Sequence, residues 1–152
     1  AKGSMQSDIN AQWSPSWTWK LNTTIEHVQP KLLNNNWPSQ LNGSIQSTGT
    51  FSQHDHQASL TAQAKTTYSE LSLSGNLGPT SNLAWSLTST QLSELGNQLS
   101  GQLESSGHIT GNDLKPLIAG TLSGNNITMK QRSIQSLTSK FSINFNINLW
   151  EL

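Results

Sequence analysis

The chain has no cysteine and little charge, because its 152 residues include only eight Lys or Arg and eight Asp or Glu. Without cysteine it can form neither a disulfide framework nor a thiolate metal site; this absence suits an envelope or extracellular protein but is also common in cytosolic ones. The formal net charge is zero and the pI is about 7.1. A neutral chain lacks the electrostatic footprint of a nucleic-acid or anionic-membrane binder. We therefore expect neither as a partner.

Long hydrophobic runs are missing as well. No apolar run approaches the roughly 18 residues of a membrane helix, and residues 1–5 carry neither the basic nor the apolar region of a signal peptide. The sequence AKGSM at residues 1–5 resembles a cloning remnant. We therefore interpret residues 6–152 as a single excised segment of a longer array.

Uncharged polar residues, in contrast, are abundant. Ser, Thr, Asn and Gln account for 67 residues, while hydrophobic residues make up 32% of the chain. This composition is too polar for a dense core, but low charge and six Trp argue against disorder. The apolar residues must therefore be concentrated on particular faces of the structure.

A short pattern occurs twice. Residues 41–49 read LNGSIQSTG and residues 99–107 read LSGQLESSG, and in both copies apolar residues and glycines hold four of the five odd positions. Alternation with a period of two is typical of a strand with one dry face. Each copy also follows a Trp-containing strand, Trp17–Leu21 or Leu83–Leu87. The repeat predicts strands near residues 41–51 and 99–109 within an extended array.

Further strands and two connectors follow from the same reasoning. We predict strands at residues 8–13, 17–25, 57–68, 71–77, 83–90, 117–128 and 141–149, with a turn at residues 110–113. Residues 28–40 and 91–98 interrupt the alternation. In the first connector, Leu32, Leu33 and Trp37 are candidates to cover the open end of the dry face.

Glycine recurs on the predicted dry face, at positions 43, 49, 75, 101, 107, 120 and 124. Glycine supplies no packing group and weakens a strand, so its repetition needs a reason. It also permits sharp bending and coiling of a sheet. The pattern therefore favours an all-β fold: a long, curved, mostly antiparallel sheet whose apolar residues line a trough.

Two interpretations of the dry face remain open from the residues themselves. It could be the core of a β-sandwich or barrel, since apolar faces usually meet protein. Alternatively, the sheet could surround a channel the size of an acyl chain, which needs no catalytic group. The predicted lining residues are Trp17, Trp19, Leu21, Ile25, Ile45, Phe51, Leu71, Leu73, Leu83, Trp85, Leu87, Leu99, Leu103, Ile109, Leu122, Phe141, Ile143, Phe145 and Ile147.

The sequence offers little chemistry. His54 and His56 flank Asp55 like a metal pair, but they adjoin a predicted turn and lack a third ligand. Serine is so abundant that no Ser-His-Asp triad stands out, and no phosphate-binding Gly-Lys-Ser/Thr motif occurs. We expect no enzyme, no metal and no cofactor.

Several stretches resemble the TamB family, the inner-membrane subunits of the translocation and assembly module in Gram-negative bacteria. The stretches, quoted in chain order, are VQPKLL at residues 28–33, WPSQLNGSI at 37–45, LSLSGNL at 71–77, LAWSL at 83–87, LGNQLSGQL at 95–103 and KPLIAGTLSG at 115–124. The similarity spans about residues 8–149. It depends on the order of the motifs more than on any one of them.

The resemblance implies a periplasmic segment of a protein anchored in the inner membrane by one N-terminal helix. It implies a taco-like β-groove with an apolar interior, related to the AsmA-like group, and phospholipid transport between the inner and outer membranes. Family members also assist the assembly of outer-membrane proteins and autotransporters together with the outer-membrane barrel TamA. This chain would be a middle section of the conduit, apart from the part that contacts TamA.

Three functions are therefore expected in order of preference. The first is a non-enzymatic conduit for phospholipid acyl chains. The second is a chaperone-like scaffold that offers sheet edges to unfolded outer-membrane proteins by β-augmentation. The third is an adhesin or carbohydrate-binding domain whose Asn, Gln and Trp side chains face sugars.

Overall fold

A computed structural model describes residues 3–35, 37–52, 56–96, 98–112 and 115–145. Nine strands and two single-turn 3-10 helices make up these residues. The strands are β1 (Ser4–Trp13), β2 (Trp17–Val28), β3 (Leu41–Phe51), β4 (His56–Lys65), β5 (Ser69–Leu77), β6 (Ser81–Ser89), β7 (Leu99–Asn112), β8 (Lys115–Met129) and β9 (Arg132–Asn144). The 3-10 turns are η1 (Pro30–Leu32) and η2 (Leu92–Glu94).

All nine strands form one antiparallel sheet in simple chain order, from β1 at one edge to β9 at the other. Each strand pairs with the next, and the two edge strands do not pair with each other, so the sheet is open. The all-β, curved, antiparallel fold predicted from the alternation is confirmed. The alternative of a sandwich or barrel core is not what the described residues form.

The strand ends define two rims. Tight turns at residues 14–16 and 78–80 lie at one rim, which we call the turn rim. The connectors containing η1 and η2 lie at the other, the connector rim, together with the short turns at residues 66–68 and 130–131. Both 3-10 turns therefore lie at the connector rim.

The strands lie where they were predicted, but several of their boundaries differ. Strand β3 matches its prediction, whereas β7 continues through Thr110 to Asn112, where a turn was predicted. Strand β9 begins at Arg132, nine residues before the predicted Phe141, because its first half alternates weakly. Ser4 and Met5, assigned to a cloning remnant, pair with Glu26 and Ile25 in β1.

One face of the sheet is apolar and the other polar. Side chains directly opposite in paired strands share a face, and successive residues alternate between faces. One row crosses all nine strands and is almost wholly apolar: Ile9, Leu21, Ser47, Leu60, Gly75, Leu83, Ile109, Ile118 and Ile143. We call the side that bears this row the apolar face.

No second layer of described strands packs on the apolar face, and few of its side chains are buried. Among the described residues, Leu83 and Leu92 are the buried hydrophobic side chains, and none is less than 2% exposed. Edge strand β1 is exposed along its whole length. Strand pairing and contacts between side chains on the same face of the sheet therefore stabilise the fold.

The sheet contains a duplicated four-strand unit that is wider than the sequence repeat. Strands β2–β5 with η1 form the first unit, and β6–β9 with η2 form the second. The cross-strand partners match row by row. Trp19, Gly49 and Ala58 correspond to Trp85, Gly107 and Gly120; Leu21, Ser47 and Leu60 correspond to Leu87, Ser105 and Leu122; Thr23, Ile45 and Ala62 correspond to Ser89, Leu103 and Gly124.

Candidate functional site

Most of the predicted lining residues lie on the apolar face. By register, the face carries Trp17, Trp19, Leu21, Ile25, Ile45, Phe51, Leu71, Leu73, Leu83, Trp85, Leu87, Leu103, Ile109, Leu122, Phe141 and Ile143. Phe145 continues the alternation of β9, and its backbone N–H donates to the carbonyl of Pro116. Leu99 lies opposite Met129, beyond the register shift in β7. Ile147 falls outside the described residues.

The same face contains residues absent from that prediction. Ile9, Leu60, Ala62, Leu77 and Ile118 share rows with predicted lining residues. Their strands alternate as clearly as the others, so the pattern itself could have identified them. The small side chain of Ala62 matters most, because it leaves space on the face.

A concavity of about 210 Å³ lies on the apolar face of the first unit. Its wall comes from β2, β3, β4 and β5, and nearly all of its surface is carbon. The lining side chains on this face include Ile25, Ile45, Ala62, Ala64, Leu71 and Leu73. Ile45 and Leu71 remain 36% and 38% exposed, so the concavity is open to solvent.

In the second unit, two aromatic rings cover the row of the apolar face that passes through Ala62 and Leu73 in the first unit. Trp85 on β6 and Phe141 on β9 stack with ring centroids 6.0 Å apart, although two strands separate them. A Cβ atom on Gly120 would lie 2.9 Å from the Trp85 ring and 3.1 Å from the Phe141 ring. The rings meet above this glycine because it has no side chain. This row is therefore covered by side chains in the second unit and open in the first, where it lines the concavity.

Close approach of strands explains another of the recurrent glycines. A Cβ atom on Gly107 would lie 2.1 Å from the carbonyl oxygen of Ala119 and 2.7 Å from the Cα of Gly120. No side chain fits at that separation. The strand pair is coiled so tightly here that only glycine is accommodated, in agreement with the curvature predicted from the sequence.

The two equivalent tryptophans differ in hydrogen bonding. The indole N–H of Trp19 donates to the hydroxyl of Ser47 at 3.2 Å. The indole nitrogen of Trp85 is buried and has no hydrogen-bond partner. Ser105, the counterpart of Ser47, instead donates to the carbonyl of Thr121 at 2.8 Å. The indole N–H therefore has a hydrogen-bond acceptor in the first unit and, among the described residues, none in the second.

At the connector rim, η2 is fastened to the sheet. Glu94 accepts hydrogen bonds from the Thr66 hydroxyl and, each at 3.0 Å, from the backbone N–H groups of Thr67 and Tyr68. Leu92 beside it is 6% exposed. The carboxylate therefore caps the turn between β4 and β5, and the neighbouring Leu92 is buried.

The first connector does not cover the apolar face as predicted. Leu32 and Leu33 are 81% and 85% exposed, and Trp37 is 49% exposed. No residue of η1 is buried. The prediction was wrong for this connector, and the leucine that is buried in a connector is Leu92 of η2.

The described residues hold no group of three or more His, Cys, Asp or Glu side chains that could bind a metal. His54 and Asp55 of the sequence pair lie outside the described residues, and His56 lies opposite Phe51 with ring centroids 6.3 Å apart. Within the part of the chain that is described, no helix has the length and hydropathy to cross a membrane.

Comparisons with known proteins neither support nor contradict the resemblance to the TamB family. No protein-family model matches the chain, no curated protein matches it, and no solved structure matches it. The argument for function therefore depends on the geometry of the apolar face.

Proposed function

We propose that this chain is a segment of a lipid conduit, which carries phospholipid acyl chains across its apolar face and catalyses no reaction. The observation that supports this most directly is the open concavity lined by Ile25, Ile45, Ala62, Leu71 and Leu73. A single-layer sheet with a continuous apolar face of this kind needs a covering that its described strands do not provide.

Burial of the chain provides the driving force. Removing apolar surface from water contributes roughly 25 cal/mol per Å², so several methylenes give useful affinity with no polar anchor. The concavity is smaller than the roughly 300–1,000 Å³ of pockets that enclose drug-sized ligands. An open face of this size suits a chain that slides past, because no enclosing wall has to open for its release.

The resemblance to the TamB family supplies the cellular setting of the proposal. The segment would lie in the periplasm of a Gram-negative bacterium, within a protein anchored in the inner membrane. It would serve phospholipid movement between the two membranes and the assembly of outer-membrane proteins and autotransporters with the barrel partner TamA.

The test places a charge on each face of one strand. Leu73→Glu puts a carboxylate in the concavity, whereas Ser74→Glu puts the same group on the exposed polar face one residue away. After incubation with phospholipid vesicles, bound lipid is extracted and measured by mass spectrometry. We expect lipid on the unmodified chain and the Ser74 variant, and at least tenfold less on the Leu73 variant. Equal lipid on both variants, with both folded by circular dichroism, would overturn the conduit.

A second candidate function is supported by the open edges. Strand β1 is exposed over all ten residues, and β9 has no strand on its outer side in the described sheet. Free edges offer backbone groups to another strand. A scaffold that binds unfolded outer-membrane strands by β-augmentation would use these edges.

Proline substitution separates the two functions, because proline removes a backbone donor from an edge. Ile9→Pro in β1 should abolish capture of an unfolded outer-membrane protein if β-augmentation operates, and should leave lipid binding intact. Leu73→Glu should have the reverse effect. Capture that survives proline in both β1 and β9 would exclude the scaffold.

A further inference from the structure

The half-buried Trp85 carries a buried indole N–H that has no acceptor. Its nitrogen is shielded from solvent and makes no hydrogen bond within the described structure. An unsatisfied buried donor is costly, and such groups in folded proteins usually have a partner. The equivalent Trp19 follows this rule through Ser47.

The hydroxyl that pairs with the indole in the first unit is oriented differently in the second. Ser105 occupies the register position of Ser47, and its hydroxyl donates to the Thr121 carbonyl, which joins β7 to β8. Ser105 is itself buried. No hydrogen bond joins its hydroxyl to the Trp85 indole, whose nitrogen has no partner within the described structure.

The surroundings of Trp85 limit what the acceptor can be. Its row neighbours are Leu73 and Gly107, and the Phe141 ring stacks on it. None of these three side chains carries an acceptor. A ligand that reaches the indole across this face would meet an apolar surface with one free donor, and the carbonyl oxygen of an acyl ester on an otherwise apolar chain suits it.

Access requires movement of one ring. Phe141 is half-buried and stands on the edge strand β9, so a ligand can displace its ring by a rotamer change while the strands keep their pairing. The stacked arrangement leaves the Trp85 donor unsatisfied. A ligand that separates the rings and offers a carbonyl recovers that hydrogen bond.

We propose that the Trp85 N–H donates to the ester carbonyl of a bound lipid, and that the groove therefore prefers ester-linked lipids to ether-linked lipids of the same chain length. This inference rests on the proposed lipid conduit. It adds a polar contact that fixes the position of the ester in a groove whose other contacts are apolar.

The experiment offers both lipids at once. The chain is incubated with vesicles that contain equal amounts of dihexadecanoyl- and dihexadecyl-phosphatidylcholine, and the bound fraction is measured by mass spectrometry. We expect an ester-to-ether ratio of about five, the change in affinity that one neutral hydrogen bond provides. Trp85→Phe keeps an aromatic ring, removes the donor and should bring the ratio to about one.

Trp37→Phe is the control, because Trp37 lies in the first connector, which does not cover the apolar face; its ratio should stay at about five. In spectra of the ¹⁵N-labelled chain, the indole resonance assigned to Trp85 should move downfield with the diester and not with the diether.

Lipid bound at a ratio near one by the unmodified chain would overturn this inference and leave the conduit standing. No bound lipid of either kind would overturn the conduit and this inference with it.

Discussion

The two four-strand units share a register and differ in what occupies the apolar face. The first unit has Ala58 and Ala62 where the second has Gly120 and Gly124, and it keeps an open concavity. In the second unit, Trp85 and Phe141 fill the space above Gly120. The two units therefore differ in which rows of the apolar face their own side chains cover, and a few small or aromatic side chains decide this.

The connectors differ in the same sense. Both 3-10 turns follow a glutamine, Gln29 or Gln91. The first then presents its leucines to solvent, while the second buries Leu92 and uses Glu94 to cap the neighbouring turn. The second unit thus has stabilising side-chain contacts both on the apolar face and at the connector rim. We therefore expect substitutions in this unit to lower the free energy of unfolding more than substitutions in the first.

The largest effect is expected at the tight contact between β7 and β8. Gly107→Ala forces a methyl group to within 2.1 Å of the Ala119 carbonyl oxygen, and overpacking against backbone should cost about 3 kcal/mol. Gly96→Ala is the control, since its nearest neighbour would be a Leu99 side-chain atom at 3.5 Å. Urea denaturation measures both; a stable Gly107 variant would contradict the tight coil.

The connectors provide the next comparison. Leu92→Ala removes a buried side chain from η2, and we expect the free energy of unfolding to fall by about 2.5 kcal/mol. Leu33→Ala, at a position 85% exposed, should change it little. Thermal unfolding followed by circular dichroism distinguishes the two. Equal losses would mean that the first connector also buries a leucine.

Loss of the turn cap should have a smaller effect. Glu94→Ala deprives the N–H groups of Thr67 and Tyr68 of their acceptor, at a cost of about 1.5 kcal/mol. Glu70→Ala is the comparison, because its contact with Lys65 at 3.8 Å is a surface ion pair that contributes less than about 0.5 kcal/mol. Hydrogen exchange of residues 66–69 should accelerate in the Glu94 variant alone.

The smallest effect separates the two indoles. Trp19→Phe breaks a hydrogen bond to Ser47, whereas Trp85→Phe removes a donor that has no partner. Both variants lose similar ring area, so the first should be less stable than the second by about 1 kcal/mol. Chemical denaturation of the two variants in parallel measures the difference, and the opposite order would contradict the assignment of the two donors.

The repeat shows why sequence reasoning recovered only part of this architecture. Corresponding residues lie 58 positions apart in β3 and β7, but 66 apart for Trp19 and Trp85 and 62 apart for Ala58 and Gly120. The connectors and turns differ in length, so no single period aligns the units. Only the best-matched strand pair is visible as a sequence repeat.

The sequence by itself determined the strands, the antiparallel sheet and the division into an apolar and a polar face, because alternation with a period of two is a local property of the chain. It also indicated curvature through its glycines. The tertiary structure alone decided which glycines lie under rings, which connector buries a leucine and which indole lacks a partner. Those features depend on which residues stand opposite each other across strands, and that register is set by turn geometry and packing over the whole sheet.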